Sequence, residues 1–377
     1  MTTFSQGTCL LMCPEKERWI KFFFEKFMTT HTYSREKEGL LHKFEIDENT
    51  KGAKLPKADP AKTIKCFSRS AAGSDMTDMK LLRPASLFII ATRTDVDWII
   101  IYEFIFDRLR SVRQDAAIQR IDALMYIQLL EPIVRFLVYS AQRFEKCAVL
   151  TEWIWRNDCR LCERNISEFN TIINGQHLAE CLTRLLVLYD ESEDEGNSLE
   201  LDRDMERLIL NDNRAEMEAL YILLYMGNME ALTRALRLPH DLRISPNVQL
   251  SIKISFAWYL KNYVRVCSLI PQLPPLLICA AMTGIQKLRR TALKIMSSGY
   301  NSKVFTFPGL KLQQLLLYKE IDKIKADCEL LGLVFTNQNI LFQKANFKDE
   351  IQLTYPEMYY THQCLHSFLP QILLESV

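Results

Sequence analysis

Residues Trp98 to Gln119 read WIIIYEFIFDRLRSVRQDAAIQ, and this stretch decides the fold class. At 3.6 residues per turn, its apolar side chains fall on one side of a helix. They are Trp98, Ile101, Tyr102, Ile105, Leu109, Val112 and Ala116. The stripe is wide enough to be a core face, so the pattern predicts a central helix packed by other helices.

Charged residues border this stripe. Arg113 and Arg120 project from one edge and Arg108 from the other, where a guanidinium buries its stem and keeps its head in water or against a carboxylate. Asp107 and Arg110 face away from the stripe, and their spacing allows an ion pair. We predict that these charges are structural and that Arg113 forms a semi-buried ion pair. Catalysis or ligand binding is the alternative.

Length and composition restrict the class of protein. A chain of 377 residues predicts two domains or one elongated repeat array. Only 11 residues are glycine, which disfavours all-β folds. The net charge is +1, so any nucleic-acid site must be a local patch of positive charge. The 11 cysteines without a secretory signal indicate reduced thiols, and the apolar stretches are too short or too interrupted by charge to predict a membrane span.

Apolar residues recur at helical spacing from Pro84 to Leu269, in segments separated by short breaks. The predicted helices are Pro84–Ala91, Asp97–Gln119, Gln119–Leu130, Glu131–Phe144, Cys147–Arg156, Glu163–Ile172, Gly175–Tyr189, Arg214–Tyr225, Met229–Leu236 and Val248–Leu269. Short helices joined by short loops are typical of an antiparallel helical-hairpin array. The acidic run Asp190 to Glu206 predicts a solvated loop, with a site for a basic partner as the alternative.

The last third of the chain changes character. The predicted elements are helix Gln286–Met296, strand Lys303–Phe307, helices Leu310–Tyr318 and Glu320–Leu331, and two short strands joined by a turn at Thr336–Asn339. This is the order of a winged helix. We therefore predict a mainly α fold, in which a TPR-like helical-hairpin array is followed by a C-terminal winged helix, as in a PCI-type module. The predicted domains are an N-terminal helix and linker arm (1–60), a helical-repeat domain (61–283), a winged-helix subdomain (284–350) and a tail (351–377).

The sequence carries none of the common catalytic motifs and one possible metal-binding set. It contains no Gly-rich phosphate loop, nucleophile elbow, HExxH helix or acidic calcium loop, so the motifs indicate no enzyme class and no cofactor. Cys159, Cys162, His177 and Cys181 have the spacing of a zinc site between two helices. They also fit helix core positions, and we favour that interpretation, which predicts no bound metal.

Five cations form the candidate nucleic-acid site. Lys287, Arg290 and Lys294 are spaced to share one helix face, and Lys344 and Lys348 follow the last predicted strand. An ordinary solvated face is the alternative. If this set binds nucleic acid, we expect weak binding through the charge of the nucleic-acid backbone, without sequence preference.

Four ordered strings carry a family resemblance. The string DRLRSVRQD, from Asp107 to Asp115, resembles the signature of the family of the yeast suppressor-of-actin scaffold and the animal germinal-centre-associated nuclear protein (GANP). MCPEKER from Met12, KCFSRSAAG from Lys65 and LRP from Leu82 agree with it in the same order. The resemblance continues at lower density to Phe347, so it covers most of the chain.

The resemblance implies a function as well as a PCI-like fold. It implies structural roles for six residues: Arg69, Asp107, Arg108, Arg110, Arg113 and Asp115. It also implies a non-catalytic scaffold subunit in nuclear mRNA export, which binds a PCI-domain protein, a small acidic Dss/Sem-type protein and single-stranded RNA, in the nucleus and cytoplasm. The alternative, from short relatives, is a scaffold for centrosome duplication and spindle assembly without an RNA role, located at the centrosome and spindle.

Overall fold

The computed structural model describes residues 47–50, 98–144, 171–196, 204–336 and 338–351, together with 353 and 367. These residues are mainly helical, as predicted, and contain three short strands. The chain divides into two compact units, residues 1–129 and 130–377. The boundaries predicted at 60/61, 283/284 and 350/351 stay predictions. Arg69 and the predicted helices Pro84–Ala91 and Cys147–Arg156 lie outside the described residues.

The first unit contains helix α1, Trp98–Gln119, at the predicted position. Five residues of the predicted apolar stripe are buried, namely Ile101, Tyr102, Ile105, Leu109 and Ala116. Ser111 and Asp115 are buried as well, so the inward face of this helix is partly polar. Helix α1 ends at Gln119, and the next residue, Arg120, adopts a φ of 48°. The side chain of Asp122 then accepts a hydrogen bond of 3.1 Å from the Leu124 backbone N–H and begins the next helix.

Helix α2, Ala123–Phe144, corrects a prediction of two helices that met at Leu130 and Glu131. It continues through Pro132, which removes one backbone hydrogen bond from the ladder. Apolar residues on both sides of this position, including Ile127 and Ile133, are almost fully buried, and their packing stabilises the continuous helix.

Part of α2 is also apolar enough to cross a membrane by length and composition. This part is Ala123–Gln142, and about two thirds of its most apolar window (67%) is buried inside the protein. It carries two buried charged residues, Glu131 and Arg135, which are hydrogen-bonded to other helices of the second unit. These features are typical of the core helix of a globular domain.

The second unit continues as a series of helices around one buried member. Their bounds are α3 Thr171–Gly196, α4 Asp204–Leu224, α5 Met229–Arg237, α6 His240–Ile244, α7 Pro246–Tyr259, α8 Tyr263–Leu269 and α9 Pro275–Met282. Helix α4 packs against α3, α5, α6, α7 and α9. Its residues Met217, Glu218, Ala219 and Leu220 are all buried, so the helix is enclosed on every side over this turn. In this unit α4 has the central position that the sequence suggested for α1.

Two predicted segments differ from the structure. The acidic run Asp190–Glu206 was predicted to be a loop, but both of its ends are helical. Helix α3 extends to Gly196, and α4 begins at Asp204. The predicted helix Val248–Leu269 is two helices, α7 and α8. Between them Lys261 adopts a φ of 56°, and the Asn262 side chain accepts a 3.1 Å hydrogen bond from the Arg265 backbone N–H. Asn is a favourable N-cap, so the new helix begins there.

The C-terminal part of the second unit has the predicted order of elements. Its bounds are α10 Ile285–Gly299, β1 Thr306–Pro308, α11 Gly309–Leu315, α12 Ile321–Leu330, β2 Val334–Thr336 and β3 Asn339–Leu341. The strands form an antiparallel sheet in the order β1-β3-β2, with Phe307 and Phe335 each opposite Ile340. Gly332 adopts a φ of 80°, and a Cβ atom there would lie 2.2 Å from the carbonyl oxygen of Asn346, so glycine is required. The winged-helix interpretation of this order stays a prediction.

Candidate functional site

Helix α10 carries the three predicted cations. Its buried face consists of Ile285, Leu288, Arg289, Ala292, Leu293, Met296 and Ser297. Lys287 and Lys294 are exposed, and Arg290 is half-buried at the edge of the buried face. The predicted spacing therefore places Lys287 and Lys294 on the surface, where they are accessible to a polyanion.

Asp349 binds two of these cations. Its carboxylate accepts a hydrogen bond of 3.0 Å from Arg290 Nη2 and one of 2.5 Å from Lys294 Nζ. Arg290 also donates to the backbone carbonyl oxygens of Asp349 and Ile351. The hydrogen bond from Lys294 lowers the pKa of the Asp349 carboxyl, so this group is charged at neutral pH. The candidate surface therefore contains an anion that the sequence analysis did not include, and we call this arrangement the Asp349 bridge.

Lys344 and Lys348 lie beyond the sheet, near the same helix. Lys344 begins a short 3-10 helix, Lys344–Asn346, that packs against α10. The backbone N–H of Lys344 donates to Asn301 Oδ1 at 3.1 Å, and that of Lys348 donates to the Leu331 carbonyl at 2.9 Å. These bonds fix the backbone and leave both ammonium groups at exposed positions.

Arg289, next to the predicted Arg290, is a fully buried cation that sequence reasoning missed. Its Nε donates to the Leu316 carbonyl at 3.0 Å and its Nη2 to the Leu317 carbonyl at 2.6 Å. Its guanidinium also lies 3.7 Å from the ring centroid of Tyr318. These contacts hold the segment between α11 and α12 against α10. The sequence offered one sign that Arg289 is buried: it lies next to Leu288 on the apolar face of the helix.

Tyr318 extends the Arg289 contacts to α12. Its hydroxyl donates a 2.5 Å hydrogen bond to the buried carboxylate of Asp327. Burial, followed by the nearby charge of Asp327, raises the pKa of the Tyr318 hydroxyl well above its ordinary value. The hydroxyl therefore stays a hydrogen-bond donor at any physiological pH.

A second missed group is the Arg234 cluster, formed by Asp190, Arg214, Glu218 and Arg234. Arg234 donates to both carboxylates, with Nη2–Oε1 2.7 Å to Glu218 and Nη1–Oδ2 2.9 Å to Asp190. Arg214 Nη2 donates to Asp190 Oδ1 at 2.7 Å. Burial lowers the pKa of the Arg234 guanidinium, but the hydrogen bonds to Glu218 and Asp190 raise it well above its ordinary value. Asp190 lies in the acidic run, so the sequence predicted a residue exposed to solvent. In the structure its carboxylate joins α3 to α4 and α5.

Three members of the Arg234 cluster, Asp190, Arg214 and Arg234, line a cleft of about 720 Å³. The other walls include Met229, Thr233, Arg237 and Leu238. Arg234 is bound to Glu218 and Asp190, and Arg214 to Asp190, so their charges are largely balanced within the protein. The arrangement therefore stabilises the junction of α3, α4 and α5 and has little charge left over for an anionic ligand.

A third polar group joins α2 to α3 and α4. Tyr189 donates a 2.6 Å hydrogen bond to Glu131 Oε1, and Asn213 donates a 2.8 Å bond to Glu131 Oε2. Arg135 Nε donates to Glu216 Oε2 at 2.8 Å. Burial raises the pKa of the Glu131 carboxyl, while the hydrogen bond from Tyr189 opposes this change. Such a network fixes the relative positions of the three helices.

Five of the six residues with an implied structural role form the charged motif of α1, and the sixth, Arg69, lies outside the described residues. Arg108 is buried and pairs with Asp107 at 2.5 Å, whereas the sequence suggested a pair between Asp107 and Arg110. The guanidinium of Arg108 lies 4.6 Å from the Phe104 ring centroid, and that of Arg110 lies 5.8 Å from Phe106. Asp115 is buried and Arg113 is half-buried, so the motif contributes to the inward side of α1. The predicted semi-buried ion pair of Arg113 stays a prediction.

Two residues of the possible zinc set lie on α3. His177 Nδ1 is 3.4 Å from Glu180 Oε2, and the thiol of Cys181 is fully buried. Cys159 and Cys162 lie outside the described residues. We still expect no stoichiometric zinc, because Cys181 occupies a core position of the helix. Metal analysis of the purified protein checks this, and about one zinc per chain, lost in Cys181→Ser, would contradict it.

Comparison with known proteins identifies the family. Residues 12–337 match the model of the SAC3/GANP family, which is most of the chain. The chain belongs to the SAC3/GANP family. The match includes the charged motif of α1, every helix from α1 to α12 and the first strand of the C-terminal hairpin.

Two curated relatives are similar to this SAC3/GANP chain at low identity. "Protein xmas" of Drosophila melanogaster is 24% identical over 325 residues, covering 83% of this chain and 14% of the relative. "SAC3 family protein 1" of Schizosaccharomyces pombe is 23% identical over 363 residues, covering 88% of this chain and 30% of the relative. The chain therefore spans less than a third of the length of either relative.

Proposed function

We propose that this chain is a non-catalytic scaffold subunit of a PCI-type complex in nuclear mRNA export. The observation that carries the proposal is the SAC3/GANP match over residues 12–337, which extends from before α1 into the C-terminal sheet. In this proposal the C-terminal elements bind a PCI-domain protein, a small acidic Dss/Sem-type protein joins the complex, and single-stranded RNA lies on the cations of the assembly. The proposed location is the nucleus and cytoplasm.

Exposed apolar residues beside the sheet support the partner-binding part of the proposal. Val304 is 88% exposed, and Phe305, Leu310 and Val334 are exposed too. They lie before β1, at the start of α11 and at the start of β2. Exposed apolar side chains are covered at protein interfaces, so a partner that binds beside the sheet should raise the soluble yield of the chain.

The proposed RNA surface consists of Lys287, Arg290, Lys294, Lys344 and Lys348. The Asp349 carboxylate pairs with two of these cations and offsets one positive charge in the isolated chain, so RNA binding by this chain alone should be weak. A partner that adds cations nearby would strengthen it. Binding should also weaken as salt concentration rises, because it depends on the release of counterions from phosphates.

Asp349→Asn tests the effect of the bridge. The substitution removes one negative charge and keeps the side-chain shape, so affinity for a 15-nucleotide oligouridine should rise about fivefold at low salt. Filter binding at two salt concentrations measures it. Glu320→Gln, at an exposed carboxylate outside the bridge, is the control and should change affinity less.

Reversal of the cations gives the opposite test. Lys287→Glu, Arg290→Glu and Lys294→Glu together should reduce RNA affinity about tenfold or more, while binding to a PCI partner persists. Equal RNA affinity of the wild type and the triple variant would reject the surface.

Affinity purification with mass spectrometry tests the proposed complex against its alternative. Recovery of a PCI-domain protein with export components is expected. Recovery of centrosome and spindle components without a PCI protein would instead favour the mitotic scaffold, located at the centrosome and spindle.

A further inference from the structure

One long stretch of the chain carries only positive charge. Residues 242–319 contain 11 Lys and Arg side chains and no Asp or Glu, although the whole chain has a net charge of +1. The rest of the chain is therefore acidic on balance. Where cations of such a stretch lie together on the surface, they attract acidic partners and repel basic ones.

Part of this charge is bound inside the protein and part is exposed. Arg289 is buried against backbone carbonyls, and Arg290 and Lys294 belong to the Asp349 bridge. Three exposed cations lie elsewhere, around the junction of α7 and α8: Lys253, Lys261 and Arg265. Within the described residues, no carboxylate forms an ion pair with any of these three.

Exposed apolar side chains lie among these cations. Phe256, Tyr259 and Leu260 have the spacing of one helix face at the end of α7, and Val264 follows in the first turn of α8. All four are exposed, Leu260 by 71%. We call them the α7–α8 ridge.

The opposite face of α7 explains why the ridge points outward. Val248, Ile254 and Ala257 are buried, and α7 packs closely against α4. The helix therefore already has its core face, and the ridge is a second apolar face whose four side chains are exposed. Exposed apolar groups of this size, rimmed by polar residues, are typical of protein interaction sites.

We propose that the α7–α8 ridge binds an acidic amphipathic helix of a partner protein. Leu, Ile or Phe side chains of that helix would cover Leu260 and Val264, and its Asp or Glu side chains would pair with Lys253, Lys261 and Arg265. RNA fits less well, because phosphates would satisfy the cations but leave the aliphatic Leu260 and Val264 exposed to water. The inference rests on the proposed scaffold function, because it adds a further partner to the complex. The ridge is a different surface from the C-terminal sheet.

The test uses the full chain and a fluorescein-labelled peptide of 18 residues, with Leu at helical i, i+3, i+4, i+7 spacing and Glu at most other positions. Fluorescence anisotropy should show saturable binding. Lys253→Glu with Arg265→Glu should weaken it about tenfold, because both ion pairs become repulsive. Leu260→Ser with Val264→Ser should weaken it about fivefold. Both pairs of residues are exposed, so the variants should keep the wild-type melting temperature.

Matched controls separate the ridge from the general field of the protein. Lys323→Glu with Lys325→Glu makes the same charge change on α12, outside residues 242–319, and should alter affinity less than twofold. An equal loss in this control, or no loss in the Leu260 and Val264 variant, would overturn the proposal. Absence of peptide binding would also overturn it. So would tighter binding of a 15-nucleotide oligouridine than of the peptide, if the ridge variants lose that binding. The ridge variants should still bind a PCI-domain protein, so failure of the ridge and failure of the scaffold function give different results.

Discussion

Replacing Arg289 with methionine should lower the free energy of unfolding by about 3 to 5 kcal/mol. The guanidinium is fully buried and donates to the carbonyls of Leu316 and Leu317, and it lies over the Tyr318 ring. Methionine replaces the apolar stem but provides no donor. Two backbone carbonyls would then lose charged hydrogen-bond partners, each of which contributes about 1.5 to 3 kcal/mol.

Urea denaturation of the full chain, followed by circular dichroism, measures this loss. Arg290→Met is the matched control, because Arg290 is the next residue and its partner Asp349 is exposed. An exposed ion pair is screened by water, so Arg290→Met should lower the free energy of unfolding less than Arg289→Met does. Equal stability of the Arg289 and Arg290 variants would contradict the structural role of the buried arginine.

The second large effect is expected at the Arg234 cluster. Arg234→Ala should lower the free energy of unfolding by about 3 to 5 kcal/mol, the usual cost of leaving one member of a buried ion pair alone. Glu218 is fully buried and accepts two hydrogen bonds from Arg234, at 2.9 and 2.7 Å. The remaining cation, Arg214 Nε, is 3.8 Å from Glu218, too far for a strong hydrogen bond.

A double variant separates the buried charge from simple loss of packing. Arg234→Ala with Glu218→Leu removes both charges, so it should regain much of the stability lost in Arg234→Ala alone. Arg237→Ala, at an exposed residue of the same helix, should change stability by less than about 0.5 kcal/mol. A double variant no more stable than the single one would show that charge burial is not the cause.

Helical periodicity was sufficient to predict most elements of the described fold. The apolar stripe of α1 and the order of elements from α10 to β3 were read from spacing and turn residues alone. The errors occurred where tertiary packing overrides a local signal. The sequence was divided into two helices at Leu130 and Glu131, but buried residues on both sides keep α2 continuous through Pro132. At Leu260–Asn262 the apolar period continues, and a positive φ and an N-cap end the helix anyway.

The polar groups were harder to predict because their partners are distant in sequence. Asp190 and Arg234 are 44 residues apart, and Arg290 and Asp349 are 59 residues apart. A local window identifies Asp190 only as part of an acidic run and Arg290 only as part of a basic one. The Asp349 bridge is the consequence that matters for function, since it changes the charge of the candidate RNA surface.

The mass of the purified complex tests the scaffold account most directly. The chain, co-expressed with a PCI-domain protein and purified through a tag on that protein, would be measured by size-exclusion chromatography with light scattering. The account predicts one species whose mass is 44.1 kDa plus the mass of one PCI protein, with a higher soluble yield than the chain alone. A 44.1 kDa monomer that remains separate from every PCI-domain protein offered would contradict it.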